Sequence, residues 1–336
     1  MTALPHRQIG PFQVSSIGFG CMNLSHAYGA APPVEDGERL LNRALDLGVT
    51  FLDTAALYGG GNNEKLVGRA VGHRRGDYVL ASKCVLDMNG AQRVLDGSPE
   101  AILASLDRSL QRLGVDHIEL FYLHRLDRRV PVEDSVGALA RAVDAGKIGA
   151  IGLSEMSAAT LERAHAVHPI AAMQTEYSPM VRNPEVAVLE ACRRLDVGFV
   201  AFSPVARGLL AGAVTDAHYA RGDIRAWMPR FVEPNLSHNL LAVRRFDALA
   251  AELGLTPAQL SLAWTLARGE HVVPIPGTTS LAHLEDNLAA ARVTLTPETV
   301  ARVDTLFAGD AIHGPRYPAE AQAQVDTELL PGEVLA

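Results

Sequence analysis

Apolar and polar positions along this chain keep two alternating rhythms. Short runs rich in β-branched, aromatic and other apolar residues read as strands: Val14–Gly20, Phe51–Thr54, Val79–Lys83, Ile118–His124, Ala150–Glu155, Ala171–Tyr177, Val197–Ser203 and Val272–Pro276. The stretches between them repeat with helical period. In Pro99–Gly114, Ile102, Leu103, Leu106, Leu110 and Leu113 share one face, and Gly114 stops the helix. Pro131 opens the next helix where its missing N–H costs nothing, and Gly146 closes it. Strands alternating with helices predict parallel strands joined by helical crossovers. Eight such units is the count of a closed (β/α)8 (TIM) barrel. A doubly wound sheet shares the rhythm, but its dinucleotide fingerprint is missing. The nearest match, Gly18-Phe19-Gly20-Cys21-Met22-Asn23, has Asn23 at the third glycine, and Pro32 and Pro33 delay the next helix. The barrel is therefore the expected fold.

No low-complexity linker interrupts Val14–Ala308. Residues 1–336 read as one domain with a core at about 10–308 and a tail, 309–336, expected to be partly ordered. The segment Val205–His238 is long for a connection and carries Trp227, Met228 and Phe231; such loops are usually functional or mobile. With 38 acidic and 30 basic side chains the net charge is −8, and the arginines are scattered, which excludes a nucleic-acid binder. Cys21, Cys84 and Cys192 lie far apart and read as apolar fillers in a reducing compartment. Met1–Gly10 has no apolar run, so no signal peptide is expected. The charge-free stretch Gln8–Val34 is too broken by Gly, Pro and polar residues to span a membrane. A cytoplasmic protein is the expectation.

In eight-fold barrels, active sites gather at the C-terminal ends of the strands. Those ends here hold Asp53, Lys83, His124, Ser154–Glu155, Gln174 and Ser203, with Tyr58 in the loop after the second strand. A phenol has an ordinary pKa of about 10, too high for easy acid–base work at neutral pH. An adjacent ammonium favours the phenolate, a carboxylate holds the ammonium, and an imidazole orients a carbonyl. Tyr, Lys, Asp and His together suit protonation of a developing alkoxide. Each alone has an ordinary reading: a turn tyrosine, a solvated lysine, a capping aspartate, a buried histidine. Their order at consecutive strand ends argues for the shared one. Other candidates are weaker. His165-x-x-His168 has helical spacing but no third ligand, so no metal is expected. Gly59-Gly60-Gly61 lacks the Gly-Lys-Ser/Thr of a phosphate loop and reads as a turn that lets Tyr58 face the pocket.

With these residues in place, the chain resembles the aldo-keto reductases. Asp53-Thr54-Ala55-Ala56-Leu57-Tyr58, Asn63-Glu64-Lys65-Leu66-Val67-Gly68, Ala81-Ser82-Lys83 and Tyr122-Leu123-His124 are similar to the family's tetrad motifs, in order. Gly146–Ser154, Gln174–Pro179, Phe202-Ser203-Pro204, Pro274–Thr279 and Leu284–Asn287 are similar to its cofactor face. The resemblance runs from about Arg7 to about Ala308, and Gly20-Cys21-Met22 after the first strand is similar to bacterial-type members.

That resemblance implies a barrel holding an extended nicotinamide cofactor, NADPH in preference to NADH. The substrate is then a small carbonyl compound, or an alcohol in the reverse reaction, with hydride passing to carbon and a proton from Tyr58 to oxygen. Lys83 and Asp53 would tune Tyr58, and His124 would orient the carbonyl. Ser154 and Gln174 match carboxamide contacts, Phe202 the ring stacked on nicotinamide, and Thr278, Asp286 and Asn287 the adenosine end. Gly20, Cys21, Met22, Asp53, Ser203, Pro204, Gly208, Ile275, Gly277, Thr279 and His283 complete the implied cofactor face.

Two departures stand out. Glu155 follows Ser154 where the family often has Asn. Positions that usually carry Arg or Lys for the 2′-phosphate hold Thr279, Ser280 and His283, and only a protonated His283 is positive, so NADPH preference should fade as pH rises. For the substrate pocket the sequence offers Met22, His26, Tyr28, Arg125, Trp227, Met228, Phe231 and Tyr317, an aromatic-lined wall for a ring or chain ketone. Arg125 or Arg207 would greet an acid or phosphate. The rival reading is a cofactor-sensing regulatory protein on the same fold, like potassium-channel β-subunits; a barrel that begins almost at once speaks against it. No oligomeric interface is marked by the sequence.

Overall fold

The computed structural model describes residues 4–25, 27–89 and 92–333. Its core is an eight-stranded parallel sheet: β1 (Phe19–Gly20), β2 (Phe51–Asp53), β3 (Val79–Cys84), β4 (Ile118–Leu123), β5 (Ile148–Ser154), β6 (Ile170–Glu176), β7 (Gly198–Phe202) and β8 (Val272–Pro274). Neighbours pair in chain order, for example Asp53 with Ala81 and Ala81 with Leu120. The two edges meet through Gly18 N–H donating to the Pro274 carbonyl (3.0 Å) and Gly20 N–H to that of Pro276 (3.3 Å), which closes the barrel. Its interior is filled by Phe51, Leu120, Tyr122, Val200 and Val273. The expected strands are present with shifted ends, except the first. Val14–Gly20 divides, because Ser15 accepts from Thr50 N and donates to the Ile17 carbonyl (2.8 Å), turning the chain before β1.

Two hairpins were not legible in the apolar pattern. His6–Ile9 pairs antiparallel with Phe12–Ser15, and Ile9 and Val14 join the barrel interior. Leu86–Asn89 pairs with Gln92–Leu95 beyond β3. That second hairpin alternates poorly because Asp87, Asn89, Gln92 and Arg93 fall within it.

Helices α1 (Val34–Asp46), α2 (Asn62–Val71), α3 (Pro99–Leu113), α4 (Val132–Asp144), α5 (Ala158–Val167) and α6 (Val188–Leu195) follow the first six strands. After β7 come α7 (Asn235–Glu252) and α8 (Pro257–Leu266), and after β8 come α9 (Leu281–Ala289) and α10 (Pro297–Leu306). Ser98 caps α3 by accepting from Ala101 N, and Gly114 ends it at φ +68°. Gly68 marks where α2 and α3 touch: a Cβ there would lie 2.2 Å from the Leu113 carbonyl oxygen. Alanine would gain about 1 kcal/mol of helix propensity. It would also wedge rigid backbones apart, at about 1–3 kcal/mol. Gly68→Ala is therefore expected to be net destabilising in urea unfolding; an unchanged or higher midpoint would refute the tight approach.

The segment 309–333 lies across the mouth of the barrel. Arg316, Tyr317, Val325 and Thr327 are buried, and the Asp326 carboxylate accepts from Ser157 Oγ (3.0 Å) and Thr160 Oγ1 (2.7 Å) at the start of α5. No helix among the described residues is long and apolar enough to cross a membrane.

Candidate active site

Three adjacent strands deliver three of the four expected catalytic side chains to one side of the mouth. Asp53 ends β2, Lys83 lies near the end of β3, and His124 follows β4. Tyr58 comes from the turn after β2, which passes through Gly59, Gly60 and Gly61 at φ +57°, +60° and +88° before α2 begins. Side chains at the start of α2 hold this turn. Asn63 accepts from Thr54 Oγ1 (2.6 Å) and donates to the Cys21 carbonyl (2.8 Å), while Glu64 accepts from Ser82 Oγ (2.6 Å) and Arg112.

Lys83 is fully buried and spends its ammonium protons on the catalytic group. It donates to the Asp53 carboxylate in a short ion pair, to the Thr54 carbonyl (2.9 Å) and to the Tyr58 hydroxyl (3.3 Å). The second Asp53 oxygen accepts from Gln174 Nε2 (2.7 Å). The His124 ring meets Tyr58 edge to face, centroids 5.8 Å apart.

Burial opposes the charge on Lys83, but Asp53 and Tyr58 outweigh it and hold the amine above its ordinary range. Burial also pushes Asp53 up, against Lys83 and Gln174. Tyr58 differs from the simple expectation. Burial pushes its phenol above 10, more than the Lys83 ammonium pulls it down, so the neutral, proton-donating form is favoured.

From Asp53 and Tyr58 a cleft of about 670 Å³ runs outward between β7, β8, α8 and α9. Its inner wall carries Gly20, Met22, Gln174, Phe202, Ser203 and Pro204. Gly208, Ile275 and Gly277 follow, and Thr278, Thr279, His283, Asp286 and Asn287 form the outer end. Ser280 caps α9 by accepting from His283 N, and Thr278 Oγ1 accepts from Ser280 N (3.0 Å). Asp286 braces the start of α8, accepting from Thr256 Oγ1 and Gln259 Nε2, both at 2.8 Å.

Other expected site residues sit elsewhere. Cys21 is buried in the core, where a small apolar side chain is wanted. Ser154 is buried at the end of β5, its hydroxyl 3.4 Å from Arg125, and does not line the cleft. Trp227 is 53% exposed and does not line the cleft, while Met228 and Phe231 turn into the core beneath it. The aromatic wall expected from that loop is thus largely absent, because the loop packs by its other residues. His26 lies outside the described residues. Tyr28 does line the cleft, with the Arg225 guanidinium 4.9 Å from its ring centroid and the Ile224 N–H donating to the Ala27 carbonyl (2.8 Å).

The sequence reading missed a buried charge network beside the site. Glu176 at the end of β6 pairs with Arg207 (3.1 Å), and Glu155 pairs with Arg316 of the tail (3.0 Å). Arg207 also donates to Tyr317 Oη (3.2 Å) and so is committed inside the protein. The available signal was Glu176 itself, a carboxylate at the end of a fully buried strand.

The sequence matches the family model described as "Aldo/keto reductase family" over residues 16–308. It is 40% identical over 339 residues to the aldo-keto reductase yakc [NADP(+)] of Schizosaccharomyces pombe, covering 98% of this chain and 99% of that protein. Among solved structures it is similar to the glycerol dehydrogenase AKR11B4 of Gluconobacter oxydans: 27% identity, 90% and 95% of the two chains, TM-score 0.83. It is also similar to the aldo-keto reductase AKR11C1 of Bacillus halodurans in its holo form: 25% identity, 93% and 99%, TM-score 0.76.

Proposed function

The chain belongs to the aldo/keto reductase family and is an oxidoreductase; from that premise we propose that it reduces an aldehyde or ketone to the alcohol with NADPH, Tyr58 giving the proton. The observation that carries this reading is the fully buried Lys83, bound at once to Asp53 and to the Tyr58 hydroxyl where the cleft begins.

The cleft's donor set fits a nicotinamide dinucleotide. Its inner end offers an amide, Gln174, and an aromatic face, Phe202. Its outer end offers Thr278, Thr279 and His283 at the N-terminus of α9, where free backbone N–H groups favour a phosphate. When bound, the reduced nicotinamide supplies the hydride. The protein's own part is to hold a proton on Tyr58 Oη and aim it at the carbonyl oxygen, with Lys83 fixing the phenol and the His124 ring closing the other side. The yakc relative is named for NADP(+), which favours NADPH over NADH here. His283 lies at the outer end of the cleft, next to Thr278 and Thr279, where a 2′-phosphate would be met. The comparisons lend no support to a channel-subunit reading.

The test is calorimetric titration with NADPH and NADH, followed by turnover of a simple aldehyde. A micromolar Kd, about −8 kcal/mol, with NADPH the tighter of the two, is expected. Binding of neither dinucleotide would remove the cofactor cleft and the reaction with it.

A further inference from the structure

The charges around the mouth show what the substrate should carry, given the carbonyl-reducing reading of the site. Most guanidinium groups there are matched with a carboxylate: Arg207 with Glu176, Arg316 with Glu155, and Arg225 with Asp223 at 2.7 Å. Arg125 is not. It directly follows His124, and its Nη1 donates to the His124 carbonyl (2.7 Å) and reaches Ser154 Oγ (3.4 Å). Both acceptors are uncharged. Among the described residues Arg125 has no ion pair, and its Nε and Nη2 have no acceptor.

Arg93 is a second such cation. It lies opposite Met88 on the hairpin that extends from β3, and it too has no carboxylate partner among the described residues. Although exposed, its charge is disfavoured first by desolvation and then by repulsion from Arg125, with Tyr317 and Glu320 acting the other way. The Arg125 charge also reaches the Tyr58 phenol. Arg125, without an ion pair among the described residues, thus stands next to His124 in a protein whose net charge is −8, with the Arg93 charge near enough to act on it. The implied phosphate end of the cleft is at α9, away from the ends of β4 and β5 where Arg125 sits.

We propose that Arg125, with Arg93 at its outer edge, forms an anion subsite beside His124 and Tyr58, and that the substrates of this protein are carbonyl compounds bearing a carboxylate or phosphate. A guanidinium fork binds either anion with two parallel hydrogen bonds and accounts for discrimination against a neutral analogue of the same shape.

The experiment compares 4-formylbenzoate, its methyl ester and 4-formylphenyl phosphate as substrates with NADPH. The expected result is a kcat/KM for one anion roughly tenfold or more above the ester, expressed mainly in KM and shrinking at high salt. Whichever anion is preferred identifies the group. In Arg125→Gln the ratio of anion to ester should fall to near unity, while Arg125→Lys keeps part of it because a point charge remains. Equal kcat/KM for anion and ester in the unaltered protein, or a preference that survives Arg125→Gln, overturns the subsite and leaves the reductase reading standing. Turnover of none of the three, with NADPH or NADH, overturns the reductase reading and this inference together.

Discussion

Tyr58→Phe is expected to lower kcat for carbonyl reduction by about 10²–10⁴-fold, with the Kd for NADPH changed no more than a few-fold. The substitution removes one oxygen and leaves the ring that meets His124 edge to face. Lys83 keeps its partners Asp53 and Thr54. The loss therefore falls on proton transfer rather than on folding or binding. The pH profile carries the sign. Tyr58 is raised above its ordinary value, by burial first and against the pull of Lys83. Reduction uses the protonated phenol, so it should stay flat through neutral pH and fall only as pH climbs past 10. Oxidation of an alcohol needs the phenolate and should rise over the same range. Lys83→Met removes the ammonium that favours phenolate, so the oxidative limb should move to still higher pH. Steady-state rates followed at the nicotinamide absorbance decide it. A Tyr58→Phe variant keeping more than a tenth of kcat would take the proton-donor role from Tyr58.

How far sequence reached follows from the range of the contacts involved. Barrel strands declared themselves because each is a continuous apolar run closed by a turn signal. Asp53, Lys83 and His124 came with them, as polar residues at the ends of those runs. Ser154 and Trp227 stand differently. Their surroundings depend on where Arg125 and the 211–231 loop pack, which no local pattern states. The N-terminal hairpin was invisible for the same reason: Ile9 and Val14 are ordinary apolar residues until the barrel floor exists to receive them. Composition read the tail as loosely held, whereas Arg316 and Tyr317 are held by Glu155, Glu176 and Arg207, each more than a hundred residues away. The direction of the Tyr58 shift was hidden too, since it turns on burial, which outweighs the neighbouring charge.

The second large effect is expected from Arg316→Met. The Arg316 side chain is 2% exposed; it donates to Glu155 through Nη2 (3.0 Å) and Nη1 (3.3 Å), to Thr327 Oγ1 (2.7 Å), and lies 3.6 Å from Glu176. Removing it strands the Glu155 carboxylate in the interior, at a cost of about 3–5 kcal/mol. Glu155→Gln in the same chain should restore part of that loss, because the stranded charge is gone; a double-mutant cycle reads the coupling. Acid sensitivity should change as well. Burial raises the Glu176 carboxyl, but Arg207 and Arg316 outweigh it and hold it below the ordinary carboxylate range. A depressed carboxylate stabilises the fold fully above its unfolded pKa, about 4.3, and the contribution is lost as pH falls through the lower folded value. Without Arg316 the depression shrinks, so acid unfolding should begin at higher pH. The consequence reaches the cleft. Glu155 sits at φ +54° directly after Ser154, its N–H donates to the Gln174 carbonyl (3.0 Å), and its carboxylate accepts from Glu176 N (2.9 Å). Relaxing it displaces Ser154 and Gln174 together, so the Kd for NADPH should rise along with the loss of stability. Urea unfolding at neutral and mildly acidic pH, paired with cofactor titration, separates the outcomes: a loss under about 1 kcal/mol, the level of an exposed pair, would mean the tail is not anchored through Arg316.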